Sequence, residues 1–497
     1  MSRWHKSSCH SPRVSIEDGL PHCQSCDSSP NIQKLVSEQA SLSPPWSVPP
    51  DESFGEMNLS WPGSVLYSPQ IRDTTRTDAG EAKGAKDLGR QHEPPHIYNR
   101  RLENNEFRLI YLPAVHDESR PIHASIEAYQ VDDCPEYETV SYCWGGENGD
   151  TTLCKPVFLG DYWDILLQTQ NCWSMLHYLR PRIGVRVVWV DAICINQTDH
   201  QERESQVAIM GSIYQRCLRT VVYLGQDVVA RHGNNNSNRA YPARRDLNTE
   251  SASAVDLHHL LKTRYFQRVW VIQELVLSPM VVIPVNGVEL IARRRGTASR
   301  DEVAWHGSDA PWMRYLCAER SDTSLKGILE ETQNSQSTDP RDKVFGLLGV
   351  LSGSTGLRPD YLLSERHIYI GTIAYILLNE SHSYLLIEAA GHQASSEVPS
   401  WLPDGNLSSL GALLQILSNF RSRLDSGKEA FAGVNFWVEM LELNPDWEML
   451  LLAHNGENQD YRHSHDQLVG SINPTTSALT LRLVYIYGGI QVGQPAM

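Results

Sequence analysis

The sequence predicts an α/β fold: a mostly parallel sheet flanked by helices, followed by a mainly helical C-terminal region. Three observations carry this. Strand-like runs alternate with helical periodicity from Glu106 onward, the run Val185-Arg-Val-Val-Trp-Val is apolar without alternation, as in strands covered on both faces, and helical patterns dominate beyond about residue 310. The chain has 497 residues, and 43 Lys+Arg against 59 Asp+Glu leave a net charge of −16, which argues against a binder of nucleic-acid backbones. Its 41% hydrophobic share, with 13 Trp and 20 Tyr, can fill a sizeable core. No apolar run approaches the ~18 residues of a spanning helix, and the N-terminus lacks the apolar stretch of a secretory signal. A cytoplasmic protein with no membrane span is expected.

Residues 1–95 are rich in Ser, Pro and charge and show neither strand nor helix periodicity, so a disordered tail is expected. Within it His5, Cys9, His10, His22, Cys23 and Cys26 are of the types that zinc prefers. Their spacing fits no standard finger, and the surrounding sequence offers little core to position ligands. A flexible, unliganded segment with no metal site is therefore expected. The ten Cys lack the dense spacing of a disulfide scaffold, which suits reduced thiols.

The folded part is expected from about residue 96. Phe107–Leu112 and Glu138–Trp144 read as strands, the latter ending at Gly145-Gly146. Leu166–Leu179 carries apolar residues at helical spacing and is closed by Pro181 and Gly184. The buried strand at Val185 ends at Asp191. Asp199 with Glu202 forms a capping-box start, and Val207, Met210, Tyr214 and Cys217 continue one helical face. Thr220–Gly225 is the next strand, and Gln226–Glu250 is a polar loop. Tyr265–Leu277 reads as a helix and Met280–Gly287 as a strand. Helices are expected at Ser324–Thr332, Asp342–Leu351 and His367–Leu378. The expected division is 1–95, 96–300, a helical extension 301–405 and a poorly defined 406–497.

P-loop, dinucleotide-fingerprint, zincin and nucleophile-elbow motifs are absent. The remaining polar groups lie at C-terminal ends of predicted parallel strands, where open α/β sheets hold ligands. Ser141, Trp144 and Gly145 close one strand, where small residues and an indole can admit a ligand or merely make a tight turn. Asp191, Asn196 and Gln197 lie between a buried strand and a helix N-terminus, a place for ribose or anion contacts or for capping bonds. Glu274 interrupts the stripe of Phe266, Trp270 and Leu277, so its carboxyl should be desolvated, with Arg264 or Arg268 as partner. A functional acid and a buried ion pair both fit. Cys194 with His200 as base is a weaker nucleophile pair, since nothing orients the imidazole.

Tyr137-Glu-Thr-Val-Ser-Tyr-Cys-Trp-Gly145, Val188-Trp-Val-Asp-Ala-Ile-Cys-Ile-Asn-Gln197, the Asp199-to-Tyr214 pattern and Arg268-Val-Trp-Val-Ile-Gln-Glu274 together resemble the fungal heterokaryon incompatibility (HET) domain. The motif core covers 137–277. Downstream, Thr338–Gly349 and Pro399–Asp404 are similar to segments that follow the domain, although Gly405 stands where a Trp is usual. The resemblance implies fungal non-self recognition and programmed cell death, with another incompatibility protein or a second copy of the chain as partner. It also implies a distant likeness to TIR domains, hence a TIR-like or flavodoxin-like sheet, and NAD as substrate of a glycohydrolase with Glu274 catalytic. Ser141, Trp144, Gly145, Asp191, Asn196, Gln197, Arg268 and Trp270 would then bind the dinucleotide. No resident cofactor is implied. A non-enzymatic self-assembly module remains the alternative.

Overall fold

The computed structural model describes residues 2–40, 48–52, 57–67, 98–226 (less 99, 116 and 118), 228, 243–246, 260–285, 288–293, 310, 312–313, 324–351, 356–382, 469–472 and 479–482. Two units divide the chain: residues 1–48, 77–353 and 358–361 form the first, and 49–76, 354–357 and 362–497 the second. Most of the expected polar loop at 226–250 lies outside the described residues, but Ala243–Asp246 within it is a strand and not loop, and most of 383–497 lies outside them too.

The first unit starts with a hairpin, β1 (Val14–Glu17) and β2 (Leu20–Cys23), and a helix, α1 (Ile32–Ala40). Asp18 and Gly19 both have positive φ, 50° and 78°, as a two-residue hairpin turn of primed type requires. The described part of residues 1–40 is therefore ordered, which corrects the expectation of a disordered tail there. Trp4, Ile32, Leu35 and Val36 pack against Phe158, Ile165 and Leu167, so the segment borrows core from a distant hairpin. Two- and four-residue apolar patterns are too short to register as a period, and this is why the sequence concealed them.

Among the described residues the sheet has ten strands: β3 (Glu106–Pro113), β4 (His123–Gln130), β5 (Glu138–Tyr142), β6 (Lys155–Leu159), β7 (Asp164–Gln168), β8 (Val185–Trp189), β9 (Thr220–Tyr223), β10 (Ala243–Asp246), β11 (Met280–Val285) and β12 (Val288–Arg293). Their spatial order is β10-β12-β11-β9-β5-β8-β3-β4-β6-β7. The central run β11-β9-β5-β8 is parallel. The flanks mix directions, with β3 antiparallel to both β8 and β4, β6 to β7, and β11 to β12. With β10–β12 and β4–β6 also parallel, five of the nine pairings among the described strands are parallel and four antiparallel, so the sheet is mixed. Strand β4 escaped notice because its side chains are largely exposed and polar, and β7 because Leu166 and Leu167 imitate a helix start.

Helices α2 (Gln170–Leu179), α3 (Asp191–Cys194), α4 (His200–Arg216), α5 (Trp270–Val276), α6 (Leu325–Glu331) and α7 (Asp342–Phe345) complete the described first unit. Thr169 caps α2 by accepting from the Cys172 N–H at 3.1 Å, and Asp199 caps α4 through the Gln201 and Glu202 N–H groups at 3.0 and 3.1 Å. All five residues of β5 are buried, so this strand is the centre of the core. At its entry Glu138 bonds both Arg186 and Arg219.

The expected continuous helix at 265–277 is broken. A 3-10 turn spans Arg264–Gln267, Arg268 is extended, and α5 begins only at Trp270. The Val269 N–H leaves the helix to donate to the Gln336 carbonyl at 2.9 Å, and that outside partner makes the break.

In the second unit, α8 (Glu365–Leu378) is capped by Ser364, which accepts from the His367 N–H at 3.1 Å, and β13 (Val469–Ile472) pairs with β14 (Leu479–Arg482). Gly371 allows the Trp61 carbonyl to approach α8, since a Cβ there would stand 2.3 Å from that oxygen. No described helix is long and apolar enough to cross a membrane.

Candidate active site around Glu274

Strand β5 ends at Tyr142, and the next residues turn sharply so that the Trp144 indole reaches Asp191 at the start of α3. Gly145 is required for that turn: a Cβ on it would stand 2.6 Å from the Gly149 carbonyl carbon and 2.9 Å from the Asp150 nitrogen. The close approach is thus to the loop's own backbone, and not the ligand approach that the sequence suggested for Gly145. Thr169 and Asn171, at the head of α2, fasten the turn by donating to the Trp144 and Cys143 carbonyls, each at 2.6 Å.

Three elements converge here. Ser141 on β5 donates its hydroxyl proton to Glu274 on α5. Ser141 has one proton to give, so the Tyr265 hydroxyl, also bonded to Ser141, must donate to it. Tyr265, Ser141 and Glu274 form a directed chain, and all three are buried. Arg268, placed by the break before α5, donates to the Tyr142 carbonyl at 2.7 Å and bears electrostatically on both Glu274 and Asp191. Asp191, the first residue of α3, accepts from the Trp144 indole at 2.8 Å and from the Ala192 N–H at 2.7 Å.

The electrostatics follow from two carboxyls beside one guanidinium in a dry place. Burial pushes the Glu274 carboxyl up to about 7, overcoming the opposing pull of Arg268 and the Ser141 bond. Burial likewise raises Asp191 against the indole bond and Arg268. Arg268 keeps its charge at any accessible pH and cannot neutralise both acids. A carboxyl that titrates near neutrality can stabilise developing positive charge when ionised, or hand over a proton when not.

Ser141, Trp144, Asp191, Arg268 and Glu274 are therefore brought together. Asn196, Gln197 and Trp270 are otherwise engaged. Asn196 Oδ1 accepts from the Thr198 N–H and hydroxyl at 3.2 and 2.8 Å, closing a turn. Gln197 donates to the Asp191 carbonyl at 3.0 Å, and the Trp270 indole donates to Asp342 at 3.0 Å. Arg264 is not the partner of Glu274: its N–H donates to Glu147 at 3.0 Å and its guanidinium lies against Gly149. Cys194 is wholly buried, its thiol pushed up to about 12 by burial, which removes it as a nucleophile.

The sequence reading missed Tyr265 and the buried pair Arg108–Glu202. Arg108 bonds Glu202 Oε2 at 3.1 Å and the Cys194 carbonyl at 3.1 Å, while Glu202 Oε1 accepts from the Asn196 N–H at 2.7 Å. The capping-box position of Glu202 masked this role, and Arg108 in an otherwise apolar strand was the available signal. The pair locks the loop that follows Asp191 and so positions the site.

The motifs match known proteins. Residues 137–274 match the family profile described as Heterokaryon incompatibility protein (HET). The chain is similar to Heterokaryon incompatibility protein 6, OR allele, of Neurospora crassa at 22% identity, over 61% of this chain and 58% of that protein. The chain thus spans less than two thirds of that relative's length. No solved structure matches it. The matched span runs from Tyr137, just before β5, to Glu274 itself, and contains Ser141, Trp144, Asp191, Tyr265 and Arg268, while Arg108 lies before it. The likeness to HET proteins is thus centred on residues 137–274, the stretch that builds the site.

Proposed function

We propose that this chain is a signalling protein of fungal non-self recognition, acting in the cytoplasm, whose HET domain triggers a cell-death response by cleaving NAD. The observation that carries the proposal is the buried Glu274 carboxyl, held near neutrality by burial and supplied with a hydrogen bond by Ser141. In the reaction the bond between ribose C1′ and the nicotinamide nitrogen breaks, with its electron pair leaving on nicotinamide. Water adds to C1′ and loses a proton, giving ADP-ribose. Ionised Glu274 faces the positive charge that develops on the ribose ring, and the Tyr265–Ser141 chain orients the carboxylate. Arg268 and the Trp144 indole, both partly exposed, offer a cation for the diphosphate and a face for a base. The parallel strand run β11-β9-β5-β8, with Ser141 next to the last residue of β5, supports a TIR-like reading.

A second reading, self-association without catalysis, draws on a different observation. Ile183, Val185 and Leu218 are 90%, 57% and 53% exposed, and they lie at or just before the starts of β8 and β9. Controlled expression of the full chain in a fungal host separates the two. Death with wild type and survival with Glu274→Gln, both chains being equally abundant, supports catalysis. Death with both variants, abolished by Ile183→Asp with Leu218→Asp, refutes it.

A further inference from the structure

We propose that His5, Cys9, Cys23 and Cys26 bind one zinc ion in a tetrahedral Cys3His site that fastens the N-terminal segment to the β6–β7 hairpin. Nothing in the HET-domain reading bears on these residues, which lie outside the matched span. Their ligand atoms, one imidazole nitrogen and three sulfurs, all lie within 4.8 Å of one another.

Two of these spacings match the edges of a coordination shell. Bond lengths of about 2.3 Å to sulfur and 2.05 Å to nitrogen, set tetrahedrally, give edges of about 3.8 Å for S···S and about 3.6 Å for S···N. The Cys9 and Cys23 sulfurs are 3.9 Å apart, and Cys26 Sγ is 3.6 Å from His5 Nδ1. A disulfide could use only two of the three thiols and would leave the imidazole without purpose. Three soft thiolates with one imidazole in tetrahedral array suit zinc.

The surroundings are built for the ligands. His5 faces the cluster with Nδ1, and its Nε2–H donates to the Tyr162 carbonyl at 2.8 Å, which fixes the tautomer that leaves Nδ1 free to ligate. Trp4 stacks on the His5 ring at 3.9 Å and donates its indole N–H to the Trp163 carbonyl at 2.8 Å. Cys23-Gln-Ser-Cys26 leaves β2 as a tight knuckle, in which Asp27 N–H donates to the Cys23 carbonyl at 2.8 Å and Asp27 adopts φ 53°. Cys9 closes a turn of its own onto the Lys6 carbonyl at 2.9 Å. Arg3 bonds Asp164 through both carboxylate oxygens, at 2.9 and 2.8 Å, and Ser2 and Ile165 exchange two backbone bonds at 2.8 Å. The apolar cluster at the knuckle consists of the three buried cysteines with Trp4, too little core to order this hairpin unaided.

The test is metal analysis of the full chain, purified under reducing conditions without chelator. About one zinc per chain is expected, released in step with thiol modification. Cys9→Ser, Cys23→Ser and Cys26→Ser should each lose most of it, whereas His22→Ala and Cys134→Ser, whose side chains lie outside the cluster, should keep it. Since a serine variant can lose metal by local unfolding, the cobalt-loaded wild type is measured as well. Thiolate charge-transfer bands and intense tetrahedral d–d bands are expected, and His5→Cys should retain cobalt with shifted bands. A folded wild-type chain that takes up no zinc, equal zinc in the triple-serine chain, or iron or copper in place of zinc would each overturn the assignment.

Discussion

The hydroxyl of Ser141 on the central strand donates to the carboxyl of Glu274 on α5, 133 residues further along the chain. That bond joins the first and last HET motifs, and it places an acid where burial outweighs every group that would keep it ionised. The consequences can be measured.

Glu274 should make the protein less stable as pH rises. Its folded pKa is about 7, above the 4.5 of an unperturbed glutamate, so the folded chain holds the proton longer than the unfolded one. Stability is then full below the unfolded pKa and is lost as pH rises through about 7, by about 3 kcal/mol in all. Glu274→Gln should therefore unfold at higher denaturant concentration than wild type near pH 8, with the gap nearly closed near pH 5. A structural ion pair with Arg268 gives the reverse sign, a loss of stability in the glutamine variant at alkaline pH.

Arg268→Met removes the one guanidinium beside two buried acids and frees the Tyr142 carbonyl. A cost of about 3–5 kcal/mol is expected, larger above neutrality than below it. Combined with Glu274→Gln it should cost less than the sum, because the neutral amide no longer needs the cation. Denaturant titrations of the four variants in the cycle check this, and strict additivity would show that the two groups do not interact.

Arg108→Met leaves Glu202 as an unpaired charge that is 1% exposed. A loss of about 3–5 kcal/mol is expected, much of it recovered by Arg108→Met with Glu202→Met. Hydrogen exchange should accelerate at Asn196, whose N–H bonds Glu202, before it does so in β5. Unchanged exchange there would separate the pair from the loop that follows α3.

Gly145→Ala forces the 143–150 turn to open, since its Cβ would meet rigid backbone. The Trp144 indole should then leave Asp191, seen as a shift in tryptophan fluorescence that Gly63→Ala, a position with open space, does not produce. Equal spectra for the two variants would mean that the turn does not hold the indole.

Much of the site was legible because its parts are local: a strand ending in Ser141 and Trp144, a strand ending at Asp191, and an acid interrupting an apolar stripe at Glu274. What escaped depends on partners far away in sequence. The break at Arg268 needs the Gln336 carbonyl, and the order of residues 2–40 needs the β6–β7 hairpin. Tyr265 stood in the sequence only as the start of an expected helix, and the fold turns its hydroxyl toward Ser141. Asn196 and Gln197 carried polar atoms of the right kind at the right strand end, yet loop and backbone bonds take them up.

Nicotinamide release from NAD by the full chain, followed across pH with wild type beside Glu274→Gln, tests the role of Glu274 most directly. Turnover should rise as pH passes about 7, where Glu274 loses its proton, and should be absent in the glutamine variant. Turnover that survives in Glu274→Gln, or a folded wild-type chain that releases no nicotinamide at any pH, would contradict it.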